Sequence, residues 1–194
     1  MQYAVSPRKE IGIRTIFNVL GPLTNPASAN AQLLGVYDQR LTEPIAYVLR
    51  KLGCEEAMVV NGLDGLDEIS TIGKTAISWL REGEIASLGT APRDFGVERT
   101  TAEALKVLSS EESAETIFRI LNGYCAAGDP KMDMVLVNSA AGIIVGGNAE
   151  DFLHGVEVAL KSVTSGAAYK KLKALIHASG GDLSKLEELE SKYA

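Results

Sequence analysis

An α/β fold with a mixed sheet flanked by helices is the architecture this sequence predicts, on three observations. Two short apolar runs, "AQLLGVY" (31–37) and "AMVVNG" (57–62), bracket an amphipathic helix, which is the pattern of a right-handed parallel crossover. "TAISWLREGEIASLG" (75–89) places two short runs around Arg81-Glu82-Gly83, the pattern of an antiparallel hairpin. The second half of the chain carries helical stripes.

Each element follows from local chemistry. Ser6-Pro7 offers a capping hydroxyl and then the residue best tolerated in a first turn, so a short helix is expected from there to about Gly12. A second runs from Thr15 to Leu20 and stops at Gly21-Pro22, with Thr24-Asn25-Pro26 as a stiff loop. The crossover helix "TEPIAYVLRKLG" has Pro44 in its first turn, Ile45, Val48, Leu49 and Leu52 on one face, and Gly53 at its end. Ala114, Ile117, Phe118 and Leu121 form one later stripe; Leu153, Val156, Leu160 and Val163 form another. "MDMVLVNSAAGIIVGG" (132–147) is apolar nearly all round and reads as a buried central helix. Ala168, Leu172, Leu175 and Ile176 share a face, and a charged helix begins near Asp182.

Composition narrows the function classes. The chain has 194 residues, 46% of them apolar, and a net charge of -6, which disfavours a general nucleic-acid or membrane-surface binder. Cys54 and Cys125 form no CxxC pair, and His154 and His177 do not join them at metal-ligand spacing. No apolar run is long enough to span a membrane, and no signal pattern opens the chain. Together these features lead us to expect a soluble cytoplasmic protein with reduced thiols.

Candidate chemistry concentrates in "NGLDGLDEIS", which follows a strand and so lies at a sheet's carboxyl end, where open α/β sheets bind ligands. Asp67 and Glu68 offer hard oxygen donors suited to Mg²⁺; they equally suit a solvated turn, as does Asp64. Arg8 can grip a carboxylate or phosphate with its planar fork, or face solvent with Lys9. Asn138 and Ser139, inside the apolar helix, are expected to hydrogen-bond a neighbouring loop. Neither histidine has an acid or nucleophile beside it, and the glycines form no Walker or dinucleotide pattern.

"SPRKEIGIRTIFNVLGPLTNPAS" followed by "GLDGLDEIS" resembles the anthranilate phosphoribosyltransferase family of tryptophan biosynthesis, and "DFGV", "NSAAGIIVGG" and "GVEVALKSVTSGAA" follow in the family's order. The resemblance covers roughly residues 1 to 178 and implies part of a nucleoside phosphorylase/phosphoribosyltransferase-like catalytic domain. It implies a glycosyltransferase that moves phosphoribosyl from phosphoribosyl pyrophosphate to anthranilate, with Mg²⁺ as cofactor and no catalytic histidine. By the same resemblance Asp67 and Glu68 bind the metal, Arg8 contacts the anthranilate carboxylate, and Pro22 lines the aromatic substrate's channel. The family's N-terminal helical domain and its glycine-rich "GTGGD"-type pyrophosphate loop do not occur in residues 1–194, so the chain is expected to be the C-terminal part of the catalytic domain and inactive by itself. An unpaired sheet edge would then favour a homo-oligomer. Two fold relatives stand as alternatives: a non-enzymatic nucleic-acid-binding protein and a pyrimidine nucleoside phosphorylase.

Overall fold

The computed structural model describes residue 10 and residues 17–193. The helix expected from Ser6-Pro7, and Arg8 on it, lie outside the described residues. The first described element is a helix, α1 (Phe17–Leu23), with Pro22 inside it. The expected stop at Gly21-Pro22 is therefore displaced to Leu23. Pro22 stands so near the end that its missing N–H costs one bond, and the Thr24 hydroxyl and amide close the last turn on Leu20 and Gly21 carbonyls, at 2.8 and 3.3 Å.

Strand β1 (Ala31–Gly35) leads through a short 3-10 turn into α2 (Thr42–Lys51), and β2 (Glu56–Gly62) returns parallel to β1. β1 stops at Gly35, two residues before the end of its apolar run. Beyond Val36 the chain turns away to Asp38, whose carboxylate accepts from the Arg40 amide and starts the 3-10 turn. β3 (Thr75–Arg81) and β4 (Glu84–Thr90) add antiparallel, joined through Glu82 and Gly83, both at positive φ. That is the backbone a two-residue hairpin requires. The sheet order is β1-β2-β3-β4.

β2 is buried on both faces. Ala57 and Val59 face Ile45, Ala46 and Leu49 of α2, whereas Met58 and Val60 face Phe95 and the central helix α5 (Pro130–Val145). A short helix α3 (Ala102–Leu105), then α4 (Ser110–Leu121), precedes α5; α6 (Phe152–Thr164), α7 (Ala167–Ala178) and α8 (Ser184–Tyr193) follow it.

The apolar stripes of α2 and α6 are rotated from expectation. In α2 the buried residues are Thr42, Ile45, Ala46 and Leu49, with Val48 and Leu52 exposed. In α6 they are Gly155, Ala159 and Val163, while Leu153 and Leu160 face outward. Ile117 and Leu175 are also exposed. In α6 the reason is close helix contact: a β-carbon at Gly155 would sit 2.9 Å from that of Ala140, so small residues make the α5 interface and the leucines are left outside.

The last helix is clasped from two sides. Tyr169 and Lys173 of α7 both donate to Glu190 at 2.6 Å, and Lys192 donates to Glu115 of α4 at 2.8 Å, joined there by the Tyr193 hydroxyl. Phe118 of α4 sits edge-on to Tyr169 and beside Tyr193, with ring centroids 5.8 and 5.6 Å away.

Candidate active site

The loop between β2 and β3, residues 63–74, carries the acids. Its first turn closes through the Gly65 amide on the Gly62 carbonyl at 2.9 Å, with Gly65 at φ 101°. The Asp64 carboxylate turns inward: it accepts from the Leu66 amide at 3.3 Å and from the Ser70 hydroxyl. Ser70 in turn accepts from the Ile72 and Gly73 amides at 2.9 and 3.2 Å. Asp64 is thus committed to shaping the loop.

Asp67 and Glu68 lie between two further anchors. On one side the Leu66 carbonyl accepts from the Gly62 amide at 2.8 Å and from Asn61 Nδ2, which also reaches the Val36 carbonyl at 2.7 Å. On the other side Asn138 of α5 faces buried Ile69 as a strand neighbour would. Its Oδ1 accepts from the Ile69 amide and its Nδ2 donates to the Ile69 carbonyl, both at 2.9 Å, with a further bond to the Met134 carbonyl. The loop-bonding role expected of Asn138 is the one observed.

β1 contributes by contact. A β-carbon at Gly35 would lie 1.6 Å from the Asp67 carbonyl oxygen, so the strand end and the acid's backbone touch directly. The loop's backbone is therefore fixed by β1, β2 and α5, while Asp67 and Glu68 are exposed residues at the edge of a cavity and their carboxylates make no hydrogen bond or ion pair among the described residues. Partial desolvation, and then the charge of Asp67, raises the Glu68 carboxyl above the ordinary range for glutamate.

This donor set fits a hard divalent cation. Two exposed carboxylates supply charge without enclosing the ion, and among the described residues no group of three ligating side chains forms. Mg²⁺ bound here would take its remaining oxygens from water or a phosphorylated substrate. Beside the acids a cavity of about 290 Å³ is walled by Ile117, Met134 and Val135, with Lys131 as its basic residue. Pro22 is not among its lining residues; it is exposed in the last turn of α1.

Sequence reasoning singled out Asp67, Glu68 and Asn138 on or against this loop and passed over Gly35, Asn61 and Ser70, which the structure places in contact with it or bonded within it. Gly35 had a signal, since a glycine interrupting an apolar strand marks close backbone approach. Asn61, the one polar side chain in the run "AMVVNG", had a weaker signal of the same kind.

Removing the Asn138 side chain tests the staple. Asn138→Ala strips both partners from Ile69 and is expected to cost about 2–4 kcal/mol, read as a fall in the urea midpoint with an unchanged slope. An unaltered midpoint would mean that the staple contributes nothing.

The comparisons with known proteins bear on this arrangement. The glycosyl transferase family, a/b domain, matches residues 1–169. The anthranilate phosphoribosyltransferase of Nitrosomonas eutropha is 46% identical over 176 residues, which are 91% of this chain and 51% of the relative. That of Petrotoga mobilis is 45% identical over 175 residues, 90% of this chain and 50% of the relative. Among solved structures, the anthranilate phosphoribosyltransferase from Saccharomyces cerevisiae in complex with PRPP and Mg superimposes with a TM-score of 0.82 at 31% identity, covering 89% of this chain and 49% of that one. The anthranilate phosphoribosyltransferase from Thermus thermophilus gives 0.82 at 34% identity, with 91% and 51% covered. The chain spans about half the length of the curated relatives it matches. Its mixed sheet flanked by helices is the nucleoside phosphorylase/phosphoribosyltransferase-like fold of those structures. On the extent of the family match and the agreement of fold, the chain belongs to the glycosyl transferase family, a/b domain.

Proposed function

We propose that this chain supplies the metal-binding and anthranilate-binding part of an anthranilate phosphoribosyltransferase. The observation that carries the reading is the Asp67-Glu68 pair: two uncommitted carboxylates on a loop immobilised from three sides, in a chain similar to relatives of that name. Mg²⁺ held there would neutralise the charge that develops on a departing pyrophosphate. The chain's own residues position and select. Arg8 is assigned to the anthranilate carboxylate through its planar fork, and Pro22 to the wall along which the flat ring slides. An aromatic amine is uncharged near neutral pH, so its lone pair can attack C1 of the ribose as the C1–O bond to pyrophosphate breaks, and the proton the nitrogen then loses passes to water or to the departing pyrophosphate.

The glycine-rich loop that would cradle pyrophosphate has no counterpart in residues 1–194, and two carboxylates cannot replace backbone amides at an anion. Turnover is therefore assigned to this chain together with the other half of the relatives' length. The outer edge of β1, unpaired among the described residues, supports self-association. The test is Mg²⁺-dependent loss of anthranilate fluorescence on adding phosphoribosyl pyrophosphate, with the chain alone and with it joined to a relative's upstream half. Consumption only in the joined protein is the expected result. Consumption by the chain alone would show that its phosphate site lies elsewhere, and none in a folded joined protein would remove the enzyme reading.

A further inference from the structure

The acids are not the only charged groups on their end of the sheet. Lys74 closes the same loop, and its carbonyl accepts from the Leu63 amide at 2.8 Å; the next residue, Thr75, pairs with Gly62 across β2 and β3. Lys74, Arg93 and Arg99 all open on one cavity of about 620 Å³, whose only acidic lining residue among the described residues is Glu98 and whose walls include Pro92 and Val97. Three positive groups against one negative leave an excess of two positive charges, in a chain whose net charge is -6. The cavity is distinct from the one beside Asp67 and Glu68: the two share no lining residue.

The cations are mounted on fixed backbone and only partly committed. Arg93 stands in the 3-10 turn Pro92–Phe95, which is anchored by Phe95, 1% exposed and packed at a tilt against Phe152 with ring centroids 4.4 Å apart. Arg93 forms a loose ion pair with Asp94 at 3.9 Å, a carboxylate that also accepts from the Ala91 amide at 2.8 Å. The Arg93 side chain remains 90% exposed. Arg99 donates Nε to the Ile72 carbonyl, and the Thr100 amide bonds the Thr71 carbonyl at 2.9 Å, so the guanidinium is held by one edge while its terminal nitrogens stay available. Lys74 has no ion pair among the described residues.

A planar fork, a second guanidinium and an ammonium around one hollow make a receptor for a compact, doubly charged oxyanion rather than for a carboxylate monoanion. We propose that Lys74, Arg93 and Arg99 form a second anion site that binds a phosphoryl group, either of inorganic pyrophosphate or of a sugar phosphate, on the same rim of the sheet as the acid pair. This site does not need a divalent cation, because its charge is supplied by side chains. The inference goes beyond the proposed reaction and stands without it.

The experiment is a magnesium-free titration of the 194-residue chain, by calorimetry or amide NMR, with inorganic pyrophosphate in one arm and ribose 5-phosphate in the other. Saturable binding in either arm is expected, and the arm that binds more tightly identifies the source of the phosphoryl group. Lys74→Ala and Arg93→Ala, each at exposed groups and so expected to fold normally, should each weaken binding about tenfold or more. Raising salt should weaken it further. Asp67→Asn with Glu68→Gln should leave this binding unchanged or tighter, since without metal those carboxylates only repel an anion. No saturation in either arm up to about 10 mM would overturn the proposal. So would binding that is indifferent to both Lys74→Ala and Arg93→Ala in variants whose folding is confirmed by circular dichroism. Loss of the enzyme reading with retention of magnesium-free binding would separate the two conclusions.

Discussion

In a protein that joins this chain to the other half of its relatives, Asp67→Asn with Glu68→Gln is expected to lower Mg²⁺-dependent anthranilate consumption about a thousandfold, and to leave the folded state as stable as before or slightly more so. The first part follows from charge. Metal assistance at a leaving pyrophosphate lowers the barrier by several kcal/mol, and about 1.4 kcal/mol is a factor of ten in rate. Amides keep the shape of the carboxylates but cannot supply the charge that holds Mg²⁺. The second part follows from the observed geometry. Neither side chain takes part in a hydrogen bond or ion pair among the described residues, and the charge of Asp67 contributes to the raised Glu68 carboxyl, so removing both charges relieves a repulsion. The paired measurement is steady-state turnover beside a urea unfolding curve. Full activity in the double variant would move the metal away from this loop; a fall in midpoint of the kind expected for a core lesion would mean that the pair holds the fold together.

Gly35→Ala is expected to do the reverse, damaging structure first and activity as a consequence. The added methyl would stand 1.6 Å from the Asp67 carbonyl oxygen, and the obstacle is backbone rather than a side chain able to swing aside. Either β1 moves off β2 or the 66–69 segment leaves its bonds to Gly62, Asn61 and Asn138. Overpacking of this kind costs about 3 kcal/mol. Thermal or urea unfolding of the chain reads it directly, and amide exchange should rise at residues 66–69 before it rises in α6. A variant with wild-type stability would show that strand and loop do not touch in solution. Since Gly35 has no side chain to lose, the effect is purely one of excluded volume.

The strands, and the placing of the two adjacent acids on the loop after β2, were legible because each is written locally. β2 reads as a continuous apolar run because both its faces are covered, and the hairpin reads from Glu82-Gly83, whose backbone must turn through positive φ. The faces of α2 and α6 were less legible. Periodicity marks the large apolar side chains, yet the α5–α6 contact is made where side chains are smallest, at Gly155 and Ala140, and there a stripe of leucines points away from the interface. The helix end at Leu23 needed knowledge that Thr24 could finish a turn containing Pro22. The three-sided mounting of Asp67 and Glu68 was hidden for a different reason. Gly35, Asn61 and Asn138 stand far apart along the chain, and only the fold brings a strand end, a strand side chain and a helix side chain to the same few peptide groups. The basic cavity was hidden likewise, because Lys74, Arg93 and Arg99 form no charge run.

The order of the sheet has a kinetic meaning. Its four described strands lie side by side in the order in which a ribosome would release them, each hydrogen-bonded to its successor. Pairing β3 with β4 closes only the tight turn at Glu82-Gly83, and pairing β2 with β3 closes the 63–74 loop, so two of the three ladders form across short separations and at small entropic cost. The loop that holds the acid pair is therefore stitched shut as soon as β3 has emerged, whereas its last fastening, Asn138, arrives only with α5. During synthesis the acids are gathered early and fixed late.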